Sequence, residues 1–171
     1  MKKMILGFLC ILTFYSCNKV TNEPSKAEQN VLESDMEITT QQGIITKESA
    51  KSFDDTYTTL VEVIKNNPNL KIIAELNHQA NAASVGLELN PTRIIMFGNP
   101  NLGTPLMKNA QTTGLDLPQK IMVWQDDQNV VKISYNDPQY LQQRHGIKGT
   151  QEVLSKISAA LDKITSVASG L

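Results

Sequence analysis

The sequence predicts an α+β domain, an antiparallel sheet backed by two main helices. Three observations predict it. Short apolar runs recur at 43–47, 71–76, 93–97, 120–125 and 130–135, set between Gly, Asn, Asp or Pro residues. The last two flank Asp126-Asp127-Gln128-Asn129, a set of turn residues that makes them a hairpin. Two longer segments, near 52–65 and 150–168, carry apolar residues at helical spacing instead.

The elements follow in order. Gly43 to Lys47 suits a first strand. Ser52 is an N-cap, with Asp54 and Asp55 favourably placed in the first turn. Tyr57, Leu60, Val61 and Ile64 then form one buried face, and Asn66-Asn67-Pro68 ends the helix. Lys71 to Leu76 is the next strand, and Asn77 to Ser84 an alanine-rich connection with a helical turn. Val85 to Leu89 suits a short strand, and Arg93 to Phe97 a longer one. After the Gly98-Asn99-Pro100 turn, Thr104 is expected to cap a helix with Pro105 at its first position, ending near Gly114. The hairpin follows. Asn136-Asp137-Pro138 starts a short helix that Gly146 breaks, and Thr150 caps the long final helix. Its Leu154, Ile157, Leu161, Ile164 and Ala168 form a stripe suited to packing on the sheet.

The N-terminus reads differently. Met1-Lys2-Lys3 is basic, Met4 to Phe14 is nearly all apolar, and Ser16-Cys17 is followed by polar sequence. This resembles a bacterial lipoprotein signal, with 1–16 as signal peptide and Cys17 as the lipidated first residue. Phe14 stands where such signals usually carry leucine. The apolar run is short of the ~20 residues that span a bilayer as a helix. Residues 17–42 form a lipidated, polar tether, and 43–171 a single globular domain. The expectation is an exported chain anchored to the lipid bilayer, more naturally on the periplasmic side than at the cell surface. Cys10 and Cys17 are the only cysteines, so the domain has no disulfide framework, no thiolate nucleophile and no cysteine metal site.

Charge excludes another class. The chain has 16 Lys and Arg against 17 Asp and Glu, and loss of Lys2 and Lys3 with the signal leaves a net charge of −3. It has no Lys or Arg cluster to neutralise phosphates, so nucleic acid is not an expected partner.

Candidate site residues are few. His78 and His145 are the only histidines, and they are either hydrogen-bonded loop residues or a ligand-binding or acid–base pair. Neither sits at metal-ligand spacing, so no metal or cofactor is expected. The expected helix start at Thr104, with Asn99 beside it, offers backbone N–H groups to an anion, and Arg144 offers a clamp. The candidate ligand-binding set is therefore His78, Asn99, Thr104, Arg144 and His145, with no assigned catalytic residue. Three functions are open: binding of a small polar or anionic ligand, a homodimerising interaction surface, and acid–base catalysis by a histidine.

Several blocks also carry a family resemblance. They are Asn77-His78, Gly86-Leu87-Glu88-Leu89-Asn90-Pro91-Thr92, Phe97-Gly98-Asn99-Pro100, Gly103-Thr104-Pro105-Leu106-Met107, Asp116-Leu117-Pro118, Tyr135-Asn136-Asp137-Pro138 and Arg144-His145-Gly146. Together the chain resembles the domain of unknown function 302 family over about 43–147. The resemblance implies a β-α-β4-α arrangement similar to the TATA-binding-protein type, and a tendency to homodimers. It implies no DNA binding, because fold does not carry function. Asn77 stands where relatives often carry Asp before the histidine.

Overall fold

The computed structural model describes residues 39–171. The expected signal peptide, Cys17 and most of the tether lie outside them. Six antiparallel strands form one sheet: β1 (Thr39–Gln41), β2 (Ile44–Glu48), β3 (Lys71–Asn77), β4 (Thr92–Gly98), β5 (Gln119–Gln125) and β6 (Val131–Asn136). Their spatial order is β1-β2-β6-β5-β4-β3. The helices are α1 (Phe53–Lys65), α2 (His78–Ala83), α3 (Pro100–Asn109), α4 (Pro138–His145) and α5 (Gln151–Ser169), with a 3-10 turn at Gln111–Leu115. The α+β class with α1 and α5 behind an antiparallel sheet is as the sequence predicts.

Alternation decides which face of the sheet is covered. Ile95, Phe97, Ile121, Val123, Ile133 and Tyr135 point to one side and are buried in a single cluster with Leu60 and Ile64 of α1 and Leu154, Leu161 and Ile164 of α5. Each such side chain stabilises the fold by about 1.5–3 kcal/mol. The opposite face carries Ile94, Met96, Met122 and Trp124, all only partly buried. Charged residues also reach the covered side: Glu75 accepts from the Tyr57 hydroxyl, Arg93 lies over the Phe53 and Tyr57 rings, and Lys47 is the most deeply buried of the three. Lys47 is 3 % exposed, and its Nζ donates to Asp162 Oδ1 at 2.6 Å, the Asp162 carbonyl at 3.0 Å and Ser166 Oγ at 2.8 Å. Three donors meet three acceptors, which is what lets an ammonium stay buried. Beside it, burial pushes the Tyr135 phenol up to about 12, with the Asp162 charge adding to the shift.

Local chemistry accounts for the boundaries. The Ser52 hydroxyl accepts from Asp55 N–H to cap α1, and Asp137 accepts from Gln139 N–H to cap α4. Gly146 takes φ +64 at the end of α4, the left-handed cap that favours glycine. In the hairpin turn, Asp126 accepts from Gln128 and Val130 N–H and pairs with Lys132 at 2.7 Å. That Lys132 contact, with the turn amides, holds its carboxyl below the usual range. Asp126 is therefore a fixed turn residue, unlike exposed Asp127.

Four local expectations differ from the structure. The sheet begins at Thr39, inside the stretch expected as tether, because Thr39 to Gln41 pair with Ile44 to Thr46. Val85 to Leu89 is not a strand: β4 already has β3 and β5 as neighbours, and Val85, Leu87 and Leu89 lie exposed. Thr150 stands before α5, yet its buried hydroxyl makes no hydrogen bond to a described residue. The fourth concerns α3 and bears directly on the site.

Candidate functional site

Helix α3 starts at Pro100, not Thr104. The sequence holds two cap-plus-proline signatures, Asn99-Pro100 and Thr104-Pro105, and the earlier one wins. Asn99 Oδ1 accepts from Asn101 N–H at 2.9 Å, and Pro100 has no N–H to satisfy. The N–H groups of Leu102 and Gly103 donate to the Asn99 carbonyl at 3.0 Å. The first-turn donors are thus spent inside the helix. Thr104 and Pro105 fall within it, and the N–H groups expected to face an anion are not free.

What α3 does instead is wall a cavity of about 320 Å³ at the end of the sheet. Phe97 and Gly98 form its base where β4 ends. Leu102, Gly103 and Met107 of α3 face Ile157, Ala160 and Ile164 of α5. Leu70 and Ile73 close one side, and Gly114, Leu117 and Pro118 the other, the last two joined by a cis peptide bond. Polar groups are sparse: Asn99, Thr104, Lys71 and Gln119. The size and mostly apolar lining with few polar groups match small-molecule pockets, about 300–1,000 Å³.

Arg144 and His145 meet just behind this wall, on Asp116. His145 Nε2 lies 2.5 Å from Asp116 Oδ2, and Arg144 Nη1 lies 3.4 Å from Oδ1. The carboxylate can only accept, so Nε2 donates, and in the neutral ring Nδ1 accepts from the Thr112 hydroxyl at 3.1 Å. The His145 side chain is 4 % exposed. Asn109 adds a second tie, accepting from Lys148 N–H and donating to the Lys148 carbonyl, both at 2.7 Å. These contacts fasten the segment after α3 to the end of α4. The arrangement is a carboxylate–imidazole–hydroxyl chain whose evident work is to hold the cavity wall.

The five candidate residues therefore separate. Asn99 and Thr104 line the cavity. Arg144 and His145 brace its wall through Asp116. His78 stands elsewhere. The β3–β4 register sets Lys71 opposite Gly98 and Asn77 opposite Arg93, so His78 starts α2 at the other end of these strands, about 20 Å away along a seven-residue strand. Three residues were not singled out from sequence. Asp116 lay inside a motif block, and Thr112 had no signal. Gln119 had one: it shares strand parity with Ile121 and Val123, an inward position for a polar residue.

Comparisons with known proteins bear on the whole domain. The family model described as Domain of unknown function DUF302 matches residues 45–164. Two curated relatives are 37 % identical over 114 residues, each covering 67 % of this chain. One is "Fluoride-specific ion channel FluC 1" of Brucella suis biovar 1 (strain 1330), the other the protein of the same name in Brucella abortus biovar 1 (strain 9-941). The chain spans only 44 % and 42 % of their lengths. Among solved structures, an uncharacterized conserved protein DUF302 from Bacillus stearothermophilus superposes with a TM-score of 0.66 at 19 % identity, over 75 % of this chain and 99 % of that one. That likeness concerns the fold.

Proposed function

We propose, from the premise that this chain belongs to the family described as domain of unknown function DUF302, that it binds a small, largely apolar molecule. One observation carries the reading: the cavity of about 320 Å³ is built from the Phe97 to Met107 stretch and closed by Leu117 and Pro118. Burial of hydrocarbon there supplies the affinity, and the few rim groups orient the molecule. This replaces the expected polar or anionic ligand, since the α3 amides are engaged within the helix. The test is thermal melting of the full chain with small aryl alcohols and, separately, phosphate and sulfate. Aryl alcohols are expected to raise the midpoint, as any ligand of the native state does. A shift with the anions alone would sink the reading.

The Brucella relatives' name describes proteins of which this chain matches less than half. No described helix is long and apolar enough to cross a membrane. Ion conduction is not proposed for this chain. A lipid anchor on Cys17 is proposed from the N-terminal sequence alone. Cys17→Ser is then expected to move the expressed protein out of the membrane fraction; unchanged partitioning removes the anchor.

A second reading concerns the other sheet face. Ile94, Met96, Met122 and Trp124 are partly exposed there, and Leu76 is 39 % exposed. We propose that a second copy of the chain packs on this face, as apolar surface of this kind favours. Light scattering is expected to give a dimer mass. A monomer at tens of micromolar argues against it.

A further inference from the structure

We infer that Gln119 recognises one uncharged polar group on the ligand, so that the ligand is a mostly hydrocarbon or aromatic molecule ending in a hydroxyl or primary amide. This rests on the cavity being the ligand site. Gln119 opens β5, pairs with Phe97 of β4 and points to the covered side of the sheet with Ile121 and Val123. Ile121 and Val123 are fully buried in the core, and Gln119, at 9 % exposure, lines the cavity. Its side-chain amide makes no hydrogen bond to any described residue. That amide is open to the cavity, and a ligand that fills the space strips it of solvent, which is costly unless the ligand supplies the lost bonds.

The chemistry of that partner follows from the surroundings. A carboxamide both donates and accepts, so its complement also does both. Hydroxyl and primary amide groups meet that demand. Charge is disfavoured at this depth, because Lys71 is the one ionisable residue on the lining and it stands exposed at the edge. An ionised head beside Gln119 would lose its hydration without gaining a counter-charge. Apart from Asn99 and Thr104, the remaining lining is apolar and takes the rest of the molecule.

A matched series tests this by calorimetric titration into the full chain: phenylpropanol, propylbenzene and phenylpropionate. Phenylpropanol is expected to bind about tenfold more tightly than propylbenzene, a difference of about 1.4 kcal/mol. Gln119→Leu is expected to remove that preference, in part by tightening propylbenzene, which no longer leaves an amide unpaired, and Gln119→Met, close in length, serves if the leucine variant folds poorly. Equal binding of phenylpropanol and propylbenzene by the native chain overturns the role of Gln119 and leaves the cavity reading standing. Tightest binding of phenylpropionate overturns it as well, since the head would then be charged. Binding of none of the three overturns the cavity reading and this inference with it.

Discussion

Ala160→Phe, on the α5 wall of the cavity, is expected to weaken binding of phenylpropanol by about 10- to 100-fold.

 The benzyl group would stand in the cavity between α5 and α3, where Ala160 faces Gly103 and Met107. It displaces about one side chain's worth of apolar contact, on the order of 1.5–3 kcal/mol, which sets the loss of affinity. The fold should be little affected. Ala160 is exposed on its helix, outside the buried cluster, and phenylalanine is a poorer helix former than alanine by only about 0.5 kcal/mol. Titration and melting together check the result. A variant that melts normally and still binds at native affinity would place the ligand somewhere other than this cavity.

Asp116→Ala is expected to lower the stability of the domain by about 1–3 kcal/mol, the cost of leaving a buried donor without its acceptor. The donor is His145 Nε2, on a side chain only 4 % exposed. Arg144 contributes less, because its side chain is 52 % exposed and such pairs are worth about 0–1 kcal/mol. Arg144→Ala is therefore the control expected to change little. The melting midpoint of Asp116→Ala should fall by roughly 5–10 °C for a domain of this size. Ligand affinity should fall too, since Leu117 and Pro118 follow Asp116 directly and form the cavity wall. An Asp116→Ala chain that melts like the native one would show that the contact to His145 does not brace that wall.

Much of the fold was legible because local signals agreed with one another. Ser52 with Asp55, Asp137 with Pro138, and Gly146 each mark a helix end by a mechanism that needs no distant residue. The stripe on α5 and the alternation in β5 and β6 likewise identify the buried face from spacing alone. Errors arose where two local solutions competed. Asn99-Pro100 and Thr104-Pro105 are both valid helix starts, and choosing the second created an anion site whose amides are in fact used within the helix. Val85 to Leu89 has strand-forming residues, but Val85, Leu87 and Leu89 stay exposed and the segment joins no strand of the sheet, so neither burial nor ladder hydrogen bonds hold it extended.

The candidate site was legible only in part. The sequence pointed to the Phe97 to Met107 stretch and to Arg144 and His145, and the structure uses both, one as cavity wall and one as its brace. The sequence by itself determined the α+β class, the two packing helices, the hairpin and the absence of thiol chemistry from the domain, because each depends on residue type and short-range spacing. Only the tertiary structure decided that His78 stands apart from His145, that Asp116 joins Arg144 and His145, and that Gln119 turns into the cavity with no hydrogen-bond partner among the described residues. Those facts depend on strand order and register, which bring residues distant in the chain together or hold them a strand's length apart.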